Sequence, residues 1–227
     1  SKPPPPFITS SLQQDAISKF KMTPNSVMNT AQSLYEKGLI TYHRTDSLNL
    51  APEFVNSVRS FVSTNFNKSY LPDAPIFYKT KEKNAQEAHE AIRPTDVFKL
   101  PSYLKSATTD ELKVYTVIWK RAVESQMTSA IYDQTSMNIL SSKGYVFKAN
   151  GSVIKFDGWL AVDTLLGIKD GNNEINPLPE YSEGEIVQII EVAPLQHFTQ
   201  PPARYSDATL IKALEEMGIG RPSTYAP

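Results

Sequence analysis

The sequence predicts an α+β chain in which a mainly helical region is followed by a β-rich one. Between residues 1 and about 129, apolar residues recur at the spacing of amphipathic helices. From Tyr132 to Gln200, β-branched and aromatic residues follow the pattern of strands. Two short helices followed at once by a strand at 39–42 suggest a winged-helix-like unit, a shape often used on nucleic acid.

Three segments follow from these changes in pattern. We expect a helical domain at 1–129 and a β-rich domain segment at 130–203. The last piece, 204–227, should begin a further helical domain. The proline run at 3–6 and the unfinished helix signal near Ser223 predict that the chain is an excised piece of a longer protein.

Local signals predict where the helices begin and end. Thr23 followed by Pro24 begins a helix, because proline at the first helical position loses no needed N–H donor, and Gly38 ends it. Thr108 and Glu111 form a capping box that opens a long helix. The other predicted helices run from Ser10 or Ser11 to Lys19, from about Pro52 to Asn65, and from a cap at Ser206–Asp207 through Met217 to Gly218.

The β-rich segment is predicted from four runs of strand-like residues. Residues 135–140 and 145–149 should pair through a turn at Lys143–Gly144. Residues 153–156 and 186–192 continue the same pattern. Other strands of this sheet could come from outside the chain.

Composition narrows the class of function. There are 23 Lys plus Arg against 24 Asp plus Glu, so the formal net charge is −1. A protein that coats nucleic acid by electrostatics alone is strongly basic, so any such contact here must be a local groove or depend on other domains. The absence of cysteine excludes disulfides, zinc fingers and thiolate catalysis. No apolar run reaches about 18 residues, so we expect no membrane partner.

The first of three polar stretches is residues 38–47, GLITYHRTDS. Strand alternation would place Tyr42 and Arg44 on the same face. An ordinary tyrosine has a pKa of about 10, and a nearby guanidinium can favour the phenolate and bind phosphate oxygens. The pair therefore suggests attack on a phosphodiester, although most Tyr-x-Arg pairs are ordinary half-exposed packing residues.

The second and third stretches are weaker signals when each is taken alone. If residues 86–95, QEAHEAIRPT, are helical, His89 and Arg93 lie four apart on one face and could bind phosphate. His89 could equally have only a structural role, capping a helix or packing against other residues. Residues 218–224, GIGRPST, bring glycine-rich backbone to a possible helix start, which is either an anion site or a helix end and linker.

Together and in this order, GLITYHRTDS (38–47), AHEAIRPT (88–95) and GIGRPSTYA (218–226) resemble the type IA DNA topoisomerases, the bacterial topoisomerase I branch above all. The strings PFITSSLQQ (6–14) and FDGW (156–159) are similar to the same family. The resemblance therefore covers essentially the whole chain. It favours the topoisomerase I branch and leaves the topoisomerase III branch as the alternative.

The resemblance implies a role for each matched residue. Tyr42 would be the nucleophile that forms a 5'-phosphotyrosyl bond, and Arg44 would hold the scissile phosphate. His89 would contact a neighbouring backbone phosphate. His43 stands where relatives often have Met or Pro, and we expect its side chain to point outward. The remaining matched positions would support the site or contact the DNA strand: Thr41, Thr45, Asp46, Arg93, Arg221 and Thr224.

The resemblance also implies an activity and an architecture. The activity would be ATP-independent relaxation of supercoiled DNA by single-strand cleavage, strand passage and religation. Residues 1–129 would be a CAP-like gate domain, and 130–203 part of an arch that acts as the hinge. The location would be cytoplasmic, at the nucleoid.

In the family, a separate N-terminal domain would supply an acidic cluster for Mg²⁺ and a general-acid lysine. C-terminal modules would bind zinc through cysteines. Neither is found in this sequence, so we expect no metal site here and little activity from the chain alone. Its expected partners are single-stranded DNA and the missing domains.

Two other functions stay open. A non-catalytic winged-helix module would use Tyr42 and Arg44 only to contact nucleic acid and would form no covalent species. A phosphoryl-transfer enzyme of another class would need acidic metal ligands near His89, for which Glu87 and Glu90 are the candidates.

Overall fold

The computed structural model describes residues 1–78, 90–168 and 177–225. It combines helices with a small antiparallel sheet, which agrees with the predicted α+β class at this level, whereas the winged-helix-like arrangement is not confirmed. The helices are α1 (Thr9–Phe20), α2 (Pro24–Glu36), α3 (Pro52–Asn65), α4 (Thr109–Glu124), α5 (Ala161–Leu166) and α6 (Asp207–Glu216), and the strands are β1 (Ile131–Leu140) and β2 (Val146–Phe156). None of the helices in these ranges is long and apolar enough to cross a membrane.

The residues fall into two compact units. The first unit comprises Ser1–Ile131, Phe156–Asp170 and Tyr205–Pro227, and the second comprises Tyr132–Lys155 and Gly171–Arg204. The assignment of residues 204–227 to a further domain stays a prediction.

The first unit has a continuous apolar core at which α1–α5 meet. Trp119 of α4 is fully buried there, and its ring packs edge-to-face on Phe61 of α3 at a centroid distance of 5.3 Å. Its indole N–H donates to the carbonyl of Val97 at 2.8 Å, so the polar atom of this large side chain is satisfied inside the core.

Most predicted helix ends are confirmed. Thr23 caps α2 by accepting the N–H of Ser26, and Ser206 accepts the N–H of Thr209 at α6. The prediction for α1 was wrong by two residues, because its cap position is Ile8. Ser11 explains the shift: its hydroxyl accepts the N–H of Ile8 at 3.0 Å, so it closes the first turn from inside the helix.

The predicted strand at 39–42 was wrong. Ile40 forms a single antiparallel bridge with Pro94, flanked by the N–H of Thr41 donating to Arg93 and the N–H of Thr95 donating to Leu39. Pro94 has no N–H, so the ladder cannot extend through it as a regular strand.

The helix considered for residues 86–95 is also wrong over its described part. Residues 90–95 are extended, with Ile92 bridged to Phe7 and Pro94 bridged to Ile40. The residue before a proline is disfavoured in the helical region, which favours this extended path at Arg93. His89 and Glu87 lie outside the described residues.

The second unit contains the hairpin of β1 and β2. Gly144, at a φ of +84°, donates its N–H to Ser141 in the connecting turn, close to the predicted position. Residues 153–156 continue β2 rather than forming another strand. The strand predicted at 186–192 is absent from the described residues, where the sheet contains β1 and β2, and Ile190 is 98% exposed.

Candidate active site

Tyr42 lies on an extended loop that follows the bridge at Ile40. His43, Thr45 and Ser47 are buried along this loop, whereas Tyr42 is 47% exposed and Arg44 is partly exposed. The burial alternates as it would along a strand, although no ladder is present. The prediction that Tyr42 and Arg44 share one face is therefore correct, and the strand invoked for it is not.

The N-terminus of α1 holds this loop through hydrogen bonds made by Thr9. The hydroxyl of Thr9 donates to the carbonyl of His43 at 2.8 Å and accepts the N–H of Thr45 at 2.9 Å. The backbone N–H of Thr9 also donates to the carbonyl of Thr45 at 2.9 Å. Thr45 in turn accepts the N–H of Ser47, so its hydroxyl supports the loop from the buried side.

Thr41 ties the same loop to the second motif. Its hydroxyl donates to the carbonyl of Ala91 at 2.8 Å and accepts the N–H of Arg93 at 3.0 Å. Because each end of the loop is held by a threonine, the backbone around Tyr42 is fixed on both sides.

Arg93 is an internal anchor in this structure. Its guanidinium donates to both oxygens of Glu90, at 3.2 and 2.7 Å, and lies 4.4 Å from the ring centre of Phe54. It also donates to the carbonyl of Pro94, and its side chain is 13% exposed. Glu90 also accepts the N–H of Ala51, the cap residue of α3. Arg93 therefore holds the motif in place through internal partners.

The third motif reaches the site from the C-terminal segment. Arg44 donates to the carbonyl of Ser223 at 3.3 Å across 179 residues of sequence. The hydroxyl of Thr224 accepts the N–H of Arg221 at 2.8 Å, and both side chains are exposed. α6, which precedes this turn, packs against α1, where Gln14 donates to Glu215. All three sequence motifs therefore meet in the first unit.

His43 does not point outward as predicted, because its side chain is 1% exposed. Burial, together with the charge of Arg44 and against the effect of Glu36, lowers its pKa to about 4. The imidazole is therefore neutral at physiological pH. Its ring lies beside that of Tyr42, as does the ring of Tyr35 from α2.

Sequence reasoning missed Tyr35 as a neighbour of the site. Its side chain is 41% exposed and contacts Tyr42. Its position in the last turn of α2, seven residues before Tyr42, is the available signal, since Gly38 reverses the chain between them.

The remaining predictions concern Asp46, His89 and metal binding. Asp46 is partly exposed on the outward side of the loop, and His89 lies outside the described residues. In the parts of the chain that the structure describes, no group of three or more His, Cys, Asp or Glu side chains could hold a metal ion. The chemistry offered by the described site is a phenol and a guanidinium, both accessible, on a fixed backbone.

Comparisons with known proteins agree with the motifs. A family model described as DNA topoisomerase matches residues 1–227. The DNA topoisomerase 1 proteins of Salmonella typhimurium and Escherichia coli are each 47% identical over 226 residues, and that of Vibrio cholerae is 46% identical. The matches cover 100% of this chain and 26%, 26% and 25% of those proteins, so the chain spans about a quarter of their length.

A solved structure agrees as well. Full-length topoisomerase I from Thermotoga maritima superposes with a TM-score of 0.80 at 34% sequence identity, covering 99% of this chain and 37% of that one. With a family match along the whole chain and this shared fold, the chain belongs to the type IA DNA topoisomerases, in the bacterial topoisomerase I branch.

Proposed function

We propose that Tyr42 is the DNA-cleaving tyrosine of an enzyme that relaxes supercoiled DNA without ATP. One observation carries the proposal: Tyr42 and Arg44 both face outward on a loop held by Thr9 and Thr41. A fixed backbone presents both groups to the same substrate, which is the arrangement that rate acceleration by positioning requires.

The proposed step is a transesterification. The phenol oxygen of Tyr42 attacks a backbone phosphorus, its O–P bond forms as the bond to the 3' oxygen breaks, and the phenol proton passes to water. The released 3' oxygen takes up a proton from a group outside the described residues. One phosphoester replaces another, so the reverse reaction reseals the strand and no nucleotide is consumed.

Arg44 would stabilise the charge that develops on the phosphate. Its present partner is a neutral carbonyl of Ser223 at 3.3 Å, at an exposed position. A phosphate oxygen carries negative charge, and two of them can accept both N–H groups of the guanidinium fork, so DNA would displace this contact.

The other motif residues would act around this pair. We assign Thr41, Thr45 and Arg93 to support of the loop, since their hydroxyl and guanidinium groups are bonded within the protein. Exposed Arg221 and Thr224 would contact the single-stranded path. Asp46 and His89 are proposed as further contacts at the site.

The rest of the proposal concerns the metal, the domains and the place of action. The family resemblance supports the further proposal that Mg²⁺ is held by another domain of the longer protein. Residues 1–129 would be the winged-helix-like gate and 130–203 part of the arch. The enzyme would work in the cytoplasm, at the nucleoid.

The first test is Tyr42→Phe in the full-length enzyme that carries this chain. Loss of the phenol oxygen should abolish covalent capture of a labelled single-stranded oligonucleotide while binding is kept. Denaturing electrophoresis measures the adduct, and Tyr103→Phe makes the same change at an exposed tyrosine outside the site. An adduct that persists in Tyr42→Phe would remove this residue from the role, whereas a parent enzyme that forms no adduct would favour the non-catalytic nucleic-acid module.

The second test is Arg44→Ala. Removing one charge-stabilising donor should slow single-turnover cleavage by about 10²- to 10³-fold. Arg44→Lys keeps the charge but loses the forked donor, and its cleavage rate should lie between those of the parent and Arg44→Ala. Cleavage at the parent rate in Arg44→Ala would contradict the assignment.

A further inference from the structure

The ring of Tyr42 contacts two aromatic side chains outside the proposed chemistry. The ring centre of Tyr35 lies 5.3 Å away with the planes at 67°, and that of His43 lies 5.1 Å away at 69°. Both contacts have the edge-to-face geometry that ring quadrupoles favour. Tyr35 and His43 are themselves 6.2 Å apart, so the three rings form one aromatic cluster.

Both supporting side chains are held by the fold. Tyr35 is in the last turn of α2, where its carbonyl accepts the N–H of Gly38 at 2.8 Å. His43 is buried, and its carbonyl accepts the hydroxyl of Thr9. The ring of Tyr42 therefore rests against two rings whose backbone is held by hydrogen bonds of the fold.

His43 contributes a ring to this cluster. Its pKa is lowered to about 4 by burial and by Arg44, against the effect of Glu36, so it carries no charge at neutral pH. Its buried Nδ1 has no hydrogen-bond partner among the described residues. What His43 presents to Tyr42 is thus the shape and edge of an aromatic ring.

We propose that Tyr35 and His43 are positioning residues that hold the phenol of Tyr42 in one orientation for attack, an inference that rests on the proposed function of Tyr42. A half-exposed tyrosine without such contacts samples several staggered rotamers. In-line attack needs the oxygen about 3–3.5 Å from phosphorus with its orbitals aligned, so a freely turning ring would spend much of its time in unproductive positions.

The test compares ring-keeping and ring-removing substitutions in the full-length enzyme. Tyr35→Leu should slow single-turnover adduct formation on a single-stranded oligonucleotide by about tenfold. Its dissociation constant for that oligonucleotide should stay within about twofold, because positioning acts on the chemical step. Tyr35→Phe restores the ring and the rate. Tyr103→Leu, at an exposed tyrosine outside the cluster, is the matched control and keeps the parent rate.

His43 is tested in the same way. His43→Ala should be slowed like Tyr35→Leu, and His43→Phe should recover the rate without any titratable nitrogen. Thermal unfolding of each variant identifies loss of folding, and the half-exposed position of Tyr35 keeps that series decisive if His43→Ala does not fold.

The outcomes separate the inference from the proposed function. Tyr35→Leu at the parent rate, or Tyr35→Phe as slow as Tyr35→Leu, overturns the positioning role while Tyr42→Phe still abolishes the adduct. An adduct that survives in Tyr42→Phe overturns the proposed function, and the positioning role with it.

Discussion

The two compact units bury their apolar side chains to very different degrees. In the first unit, α1–α5 share a core in which Trp119 and Phe61 are fully enclosed. In the second, the hairpin leaves Leu140 and Phe147 largely exposed. A two-stranded hairpin is marginal by itself because it cannot bury a face. The difference shows that strand-like sequence patterns do not produce a core unless enough strands come together, whereas the unit that carries Tyr42 has a core of its own.

The largest expected contrast comes from deleting one large side chain in each unit. Trp119→Ala removes a fully buried ring and its hydrogen bond, and should lower the free energy of unfolding by about 3–5 kcal/mol. Phe147→Ala, at a position 51% exposed in β2, should change it by less than about 0.5 kcal/mol. Urea unfolding measures both, and equal losses would mean that the second unit is packed more tightly than described.

Acid should lower the stability of the first unit through its buried histidine, His43. The pKa of His43 lies at about 4 when folded against 6.5 when unfolded, so the unfolded state binds the proton more readily. The stability that His43 contributes is therefore complete above pH 6.5 and is lost as the pH falls to about 4, amounting to about 3 kcal/mol.

His43→Met should remove most of this acid dependence, as measured by urea unfolding at a series of pH values. His197→Met makes the same change at an exposed position of the second unit and should leave the curve unchanged. An identical pH dependence in the parent chain and His43→Met would show that the imidazole is accessible to protons in the folded state.

The smallest expected difference in the free energy of unfolding is between substitutions at two carboxylates, Glu111 and Asp133. Glu111 is buried in the first unit, where hydrogen bonds from Lys37, Ser33 and the N–H of Thr108 lower its pKa to about 2. Glu111→Gln should cost about 1–2 kcal/mol at pH 7, discounted because Lys37 is half exposed. The difference from the parent should shrink as the pH falls from about 4.5 toward 2, because the carboxylate is then protonated.

Asp133 provides the matched carboxylate of the second unit. It pairs with Lys155 at 3.5 Å, with both side chains 64% exposed. Asp133→Asn should therefore cost about 0–0.5 kcal/mol in the same urea titration. A loss as large as that of Glu111→Gln would contradict the contrast in burial.

Much of the fold was predictable because its signals are local. The Thr108–Glu111 box, Pro24 at the start of α2 and Ser206 before α6 each act within one turn of helix. The hairpin turn near Gly144 is equally local. The strand predicted at 186–192 failed because a strand exists only when another segment supplies hydrogen-bond partners, which no local pattern can show.

The site was predictable in its parts but not in its arrangement. Alternation placed Tyr42 and Arg44 on one face, although the extended loop has no ladder, and only the structure decided that this face is exposed. The burial of His43 was missed, because it depends on what packs over the loop rather than on its neighbours in sequence.

By itself, the sequence determined most helix limits, the motifs and the membership of a family, since these rest on residue type and short spacings. Only the tertiary structure decided that Arg93 is bonded internally to Glu90, that Arg44 reaches Ser223, and that Tyr35 lies beside Tyr42. The physical reason is that a side chain's role depends on the partners and the burial that distant segments provide. Those segments come together only when the apolar core forms.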